Sequence, residues 1–314
     1  MKFIDRALLG NHHRSLFADV GSAERFWPMT PNKTRLRGFT LVELLFVIVV
    51  LFIILAPRAG SKTTKERTFV TTDLNNFRQI LRASALYSAE NDDYLAHPTW
   101  GAGLSGPSGW AYLTSTRERP VPGSLSPFPY SCAGRDVDSR QYTNQLAFFR
   151  VGQVTQYLPD EKAAWCPKDV STRRLPGLQP RWLGRAVKIS SYCWNGTIGG
   201  YLGEPPDLKG RTYKVSEFLP TDFQMWEQDD DDPFNFNDAG QNPAKQSDVI
   251  SKRHAGPSSW WTEPEWTRGL SGGAVVGKFD GSASFVRWPR IHDLLLEARA
   301  PNEFLNGPDF RTPP

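Results

Sequence analysis

The chain has 314 residues, enough for one sizeable domain in addition to an anchoring helix. Its net charge of +4 comes from residues 1–38, which carry seven basic and three acidic residues and leave 30 of each in the remainder. A neutral remainder lacks the basic surface that binds nucleic acid, so we predict no nucleic-acid partner.

Residues 39–56 form an 18-residue apolar run in which Glu43 is the one ionisable residue. This length is close to the roughly 20 residues needed to span a bilayer. A core helix of a soluble protein would show a polar face, and a cleaved secretory signal would have a shorter apolar region without a glutamate. A plain signal anchor fits the run but leaves Gly38 and Glu43 unexplained.

The segment Gly38-Phe39-Thr40-Leu41-Val42-Glu43-Leu44-Leu45 resembles the type III signal of type IV prepilins and type II secretion pseudopilins. The resemblance implies that a prepilin peptidase cuts after Gly38 and that the new N-terminus, Phe39, is methylated. It also implies that Glu43 pairs with the amino group of Phe39 on a neighbouring subunit. Pro57 lies where the family often has a helix-kinking proline.

The same resemblance implies location, partners and domain plan. The protein would cross the cytoplasmic (inner) membrane once, with its C-terminal domain outside the cytoplasm, before it joins a filament. Its partners would be the prepilin peptidase/methylase and other pseudopilin subunits, contacted through the N-terminal helix. We expect a cleaved leader at 1–38, an N-terminal helix at 39–90 (transmembrane over 39–56), a globular domain at 91–298 and a tail at 299–314.

Residues 68–90 have the apolar spacing of an amphipathic helix, with Asp73 and Asn76 assigned to the polar faces. The polar stretch 90–94 predicts a turn that ends this helix. The residues that form the apolar stripe are Val70, Leu74, Phe77 and Leu81.

The remaining pattern predicts an antiparallel sheet. Strands are expected within 188–198 and 221–228, and short helices within 145–157 and 292–300. Asp280-Gly281, between the strand-like runs 274–279 and 282–288, predicts a hairpin with a type I′ turn. The predicted fold class is α+β and pilin-like, with a long N-terminal helix packed on an antiparallel β-sheet.

A second resemblance concerns the C-terminal part. His254 followed by Asp280-Gly281 resembles a His…Asp-Gly module of many prepilin-like proteins, and Cys166-Pro167 and Ser191-Tyr192 match its upstream parts. The gap of 25 residues between His254 and Asp280 is much longer than in that module. Without a nucleophile motif, we interpret Asp280 as a turn residue and His254 as a packing or hydrogen-bonding residue, and we predict no enzyme activity.

The cysteines and histidines show no metal-binding spacing, which predicts no zinc site. Cys132, Cys166 and Cys193 would give one disulfide and one free thiol outside the cytoplasm, or three ordinary buried thiols. The sequence does not choose between these or between the pairs.

Two loop-like regions leave further alternatives open. Asp229, Asp230, Asp231 and Asp232 supply the oxygen ligands that calcium prefers, but they lack EF-hand spacing, so a solvated acidic loop is the alternative. Five tryptophans in loop-like segments suit either the packing of long loops or a membrane-anchored surface protein whose tryptophan-rich domain binds or cleaves polysaccharide. They are Trp100, Trp110, Trp260, Trp261 and Trp266.

Overall fold

A computed structural model describes residues 39–55, 62–99, 108–113, 131–200, 212–242, 250–254, 272–296 and 301–308. The chain forms two compact units, residues 1–56 and residues 57–314. Gly38, Pro57 and four of the loop tryptophans (Trp100, Trp260, Trp261 and Trp266) lie outside the described residues.

The first unit contributes one described helix, α1 (Leu41–Leu55). Every residue from Leu41 to Val49 is exposed, so the helix presents apolar side chains around its whole circumference. Within the described ranges, no helix combines the length and the apolar character that crossing a membrane requires.

The second unit is an α+β domain. Its helices are α2 (Lys62–Glu90), α3 (Arg140–Phe149), α4 (Pro167–Thr172), α5 (Gln179–Gly184) and α6 (Trp288–Leu296). Its strands are β1 (Tyr192–Asn195), β2 (Phe223–Glu227), β3 (Gly240–Gln241), β4 (Gly273–Lys278) and β5 (Ala283–Arg287). They form one five-stranded sheet in the order β3-β1-β2-β4-β5, antiparallel except for the β1–β3 pair.

Helix α2 packs on this sheet, as the apolar stripe predicts. Phe77 and Leu81 are buried in the main core beneath the helix. Gly277 of β4 allows the close approach, because a Cβ atom there would lie 3.0 Å from Leu81 Cδ1 and 3.1 Å from Phe77 Cδ1. A second apolar cluster includes residues of β2 and β4, such as Trp226 and Val276, together with α6.

The C-terminal hairpin is confirmed, but the predicted turn type is wrong. Strands β4 and β5 pair from Gly273↔Arg287 to Gly277↔Ala283. The Gly281 N–H donates to the Lys278 carbonyl. Within this turn only Gly281 has a positive φ, at 79°, whereas a type I′ turn needs two such residues. The last paired residues are Gly277 and Ala283, so the connection is longer than a two-residue turn. In this longer connection, one residue with positive φ, Gly281, is enough to reverse the chain.

The polar faces of α2 also differ from the prediction. Asp73 and Asn76 are buried, because both side chains meet polar groups of the domain instead of water. The turn that ends α2 is confirmed, with Asp92 and Asp93 at positive φ. Helix α6 is shifted relative to the predicted range and begins at Trp288.

Candidate functional site

Glu43 lies in the first turn of α1 and forms a capping box with Thr40. The Glu43 N–H donates to Thr40 Oγ1 (3.2 Å), while Glu43 Oε2 accepts from the Thr40 N–H and hydroxyl, both at 2.9 Å. Such reciprocal bonds satisfy backbone N–H groups that the first helical turn leaves without partners. The spacing Thr-x-x-Glu is a sequence signal for this cap. The lone carboxylate therefore has a local structural role besides any pairing between subunits.

The second candidate site is a buried polar cluster in the α+β domain. It joins Asp73 of α2, Cys166 at the start of α4, Glu227 at the end of β2 and His254. One ligand atom from each residue lies within 4.8 Å of the others, and all four residues are buried. They are far apart in sequence and meet because α2 and α4 pack beside the sheet.

His254 Nε2 lies at the centre of this cluster. Its distances are 2.8 Å to Asp73 Oδ2, 3.1 Å to Glu227 Oε1 and 3.7 Å to Cys166 Sγ. Two carboxylates and one thiol thus converge on one ring nitrogen.

In His254, Asp73 and Glu227, the polar atom that points away from the cluster contacts a group outside it. Glu66 Oε1 lies 2.8 Å from His254 Nδ1, and the Tyr192 hydroxyl donates to Asp73 Oδ1 at 2.5 Å. The Val275 N–H donates to Glu227 Oε2 at 2.7 Å. The orientation of each inward-facing atom is therefore fixed from behind.

A charged network surrounds the cluster. Arg253 Nη1 lies 3.5 Å from Glu227 Oε1, and Lys168 pairs with Glu66 at 2.7 Å. Asp169 forms a bidentate pair with Arg185 and lies 3.6 Å from Arg253. Opposite charges alternate through this interior, which offsets part of the cost of burying them.

The protonation states follow from burial and from these neighbours. Burial raises the pKa of Cys166 to about 12, with the charge of Glu227 as the next cause. Burial alone would lower the pKa of His254, but the charge of Glu227 and the bond to Asp73 raise this pKa well above its ordinary value. Burial, and then the Glu227 charge, raises the pKa of Asp73. Burial thus favours the neutral thiol of Cys166, and the neighbouring carboxylates favour the protonated ring of His254.

Asp280 has a different environment from His254. It is exposed, and its Oδ1 accepts from the Ser282 N–H at 2.8 Å inside the hairpin turn. The interpretation of Asp280 as a turn residue agrees with this contact. Sequence reasoning placed His254, Cys166 and Tyr192 in one module but missed Glu66, Asp73 and Glu227.

The acidic run 229–232 has protein partners. Asp231 pairs with Arg181 at 2.7 Å, Asp230 accepts from Ser251, and Asp232 caps a short helical turn. Asp229 is buried, and burial together with the charges of Asp231 and Asp230 raises its pKa to about 7. Calcium binding at this run stays a prediction that isothermal titration can check.

The described cysteines and loop tryptophan are interior residues. All three cysteines are free and buried, which agrees with the buried-thiol alternative. Trp110 is fully buried, stacks on Trp194 with ring centroids 5.4 Å apart, and donates to the Ala239 carbonyl. Trp110 therefore packs the core and does not belong to a glycan-binding surface.

A family model, the prokaryotic N-terminal methylation motif, matches residues 33–57. No curated protein sequence and no solved structure matches the chain. The matched range contains Gly38, Phe39 and Glu43, and it confirms the resemblance to type IV prepilins and pseudopilins. The chain has the N-terminus of a prepilin-like protein of type IV pilus and secretion systems.

Proposed function

We propose that this protein is a structural subunit of a type II secretion pseudopilus or a type IV pilus-like filament. A prepilin peptidase removes residues 1–38, and the enzyme methylates the new N-terminal Phe39. Before assembly, the apolar run 39–56 anchors the subunit in the inner membrane with the α+β domain outside the cytoplasm. The role is structural and involves no catalysis.

The observation that carries this proposal is the exposed apolar surface of α1 beside a methylation motif. Leu41 is 80% and Phe46 is 69% exposed, and the neighbouring residues are exposed as well. A helix that is apolar on all sides needs lipid or other helices around it. Lipid would surround α1 before assembly, and the α1 helices of neighbouring subunits would surround it in the filament.

Glu43 supplies the specific contact between subunits in this proposal. A carboxylate within apolar surroundings costs several kcal/mol unless it has a charged partner. The ammonium of a neighbouring Phe39 exists only after cleavage at Gly38, and it meets Glu43 at only one offset between adjacent helices. The ion pair therefore forms only between cleaved subunits and only at the correct offset between their helices.

Three substitutions separate this pairing from the capping box. Glu43→Gln keeps an oxygen that accepts from the Thr40 N–H but removes the charge, whereas Glu43→Ala removes both. Thr40→Val weakens the cap and leaves the carboxylate. The measurement is the amount of protein in sheared filaments, relative to processed subunit in the membrane, in cells with a filament assembly machinery.

We expect Glu43→Gln and Glu43→Ala each to reduce filament protein by about tenfold or more, since about 1.4 kcal/mol already gives that factor. Thr40→Val should retain most assembly. Normal assembly of Glu43→Gln together with failure of Thr40→Val would show that the carboxylate acts only as a cap, and the pairing would be rejected.

A further inference from the structure

We propose that Asp73, Cys166, Glu227 and His254 bind one structural zinc ion in the interior of the α+β domain. The set contains one nitrogen, one sulfur and two carboxylate oxygens, all ligand types that zinc accepts. This site is independent of pilus or pseudopilus assembly and would exist in the subunit alone.

The three ligand-atom separations that involve His254 Nε2 are close to those around a tetrahedral ion, and all four ligand atoms lie within 4.8 Å of one another. Zinc bonds of roughly 2.0–2.3 Å at tetrahedral angles place neighbouring ligand atoms about 3.3–3.7 Å apart. The distance from His254 Nε2 to Cys166 Sγ is already 3.7 Å. The distances to Asp73 and Glu227, at 2.8 and 3.1 Å, need to increase by only a few tenths of an ångström.

The outer contacts are those that orient metal ligands. A zinc-binding histidine almost always donates its second ring N–H to a carboxylate, carbonyl or water, and Glu66 lies 2.8 Å from His254 Nδ1. Ligating carboxylates are held in the same way, here by Tyr192 behind Asp73 and by Val275 behind Glu227. These three contacts leave Nε2, Oδ2 and Oε1 directed towards the same point.

Zinc binds a cysteine as the thiolate and a histidine as the neutral imidazole, so binding would release protons from the site. Arg253 lies 3.5 Å from Glu227 and 3.6 Å from Asp169, so a positive side chain already borders the carboxylates of this interior.

An ion-pair cluster without metal explains His254 between two carboxylates, but it leaves the Cys166 thiol with a weak hydrogen bond, 3.7 Å from His254 Nε2. A thiol is a weak hydrogen-bond donor, yet Cys166 Sγ faces two carboxylates and an imidazole in the interior. Zinc gives this sulfur a bond. Four buried protein ligands also describe a closed structural site, in contrast to a catalytic one that keeps an open position.

The test uses the full-length protein purified in detergent from cells supplied with zinc. Metal content is measured by mass spectrometry for the unchanged protein, Cys166→Ala, His254→Gln and the matched control Cys132→Ala. Cys132 is also a buried free thiol, but it does not belong to the cluster. We expect about one zinc per chain in the unchanged protein and in Cys132→Ala, and less than about one fifth of that in the two cluster variants, because the loss of a structural ligand removes most of the affinity.

Two measurements on the unchanged protein stand even if the cluster variants do not fold. X-ray absorption at the zinc edge should show one sulfur at about 2.3 Å with nitrogen and oxygen ligands, and a strong chelator should lower Tm by roughly 10 °C. Protein that binds no zinc after chelation and zinc addition, or zinc without a sulfur ligand, would overturn the proposal. Full zinc content in Cys166→Ala would do the same.

Discussion

At the residue scale, Glu43 caps α1 in the single chain and, in the proposed function, also pairs with a neighbouring subunit. In the single chain its Oε2 accepts from Thr40 and closes the first turn of α1. In the proposed filament, the Glu43 carboxylate pairs with the Phe39 ammonium of a neighbouring subunit, which exists only after cleavage. A local cap also holds the carboxylate in one conformation, so less side-chain entropy is lost when the ion pair forms.

His97 is a buried histidine whose surroundings favour the neutral ring. It follows α2 in the chain. Its Nδ1 accepts a hydrogen bond from the Thr99 N–H at 3.1 Å, so this nitrogen carries no proton. Burial lowers the pKa of His97 from 6.5 to about 4. The folded protein therefore excludes a proton that the unfolded chain binds at mildly acid pH.

The consequence is a specific loss of stability in acid. The His97 contribution is intact above pH 6.5 and is lost as the pH falls towards 4, because the unfolded chain is protonated first. The free energy of unfolding should therefore be lower at pH 5 than at pH 7 by about 2 kcal/mol on account of His97. His97→Asn keeps an acceptor for Thr99, so its urea unfolding energy should fall by about 2 kcal/mol less between these pH values. An equal fall in both proteins would refute the assignment.

At the element scale, local sequence signals predicted the elements but not all of their details. The stripe of α2 and the Asp280-Gly281 hairpin follow from periodicity and turn chemistry, and both are present. Periodicity assigned Asp73 to a polar face because it treats every polar side chain as solvated. The hydroxyl of Tyr192, 119 positions away in the chain, replaces water there.

The polar cluster could not be predicted for the same reason. Its ligands come from α2, the start of α4, β2 and the segment 250–254, and no short spacing connects them. The absence of local zinc spacing therefore says nothing about ligands that tertiary packing brings together. Only the burial of a charged residue in a predicted core strand, such as Glu227, would have been a signal.

The packing of α2 on β4 gives a direct stability prediction. A methyl group at Gly277 would lie 2.8 Å from Met225 Cγ and close to Phe77 and Leu81. Gly277→Ala should therefore lower the free energy of unfolding by about 1–3 kcal/mol. Gly177→Ala is the matched control, since nothing lies within 4 Å of its added Cβ, and it should change the value by less than about 0.5 kcal/mol. Equal effects of the two substitutions in urea unfolding would contradict the close packing.

At the scale of the whole molecule, the two units differ in composition and in packing. The first carries the matched motif and an apolar helix that needs an environment other than water. The second contains its own cores and the buried cluster, and it has the α+β class that the sequence predicts. The family-level prediction depends on the eight residues from Gly38 to Leu45, where the order and spacing of the residue types form the signal. No short sequence motif predicts the interior of the second unit, because its contacts join segments that are distant in the chain.

The most direct test of the prepilin account is the mass of the mature N-terminal peptide of the protein recovered from cells with an active prepilin peptidase. We predict that the chain begins at Phe39 and that this residue carries one N-methyl group. A chain that still begins upstream of residue 39 in those cells, or an N-terminus at another position, would contradict it.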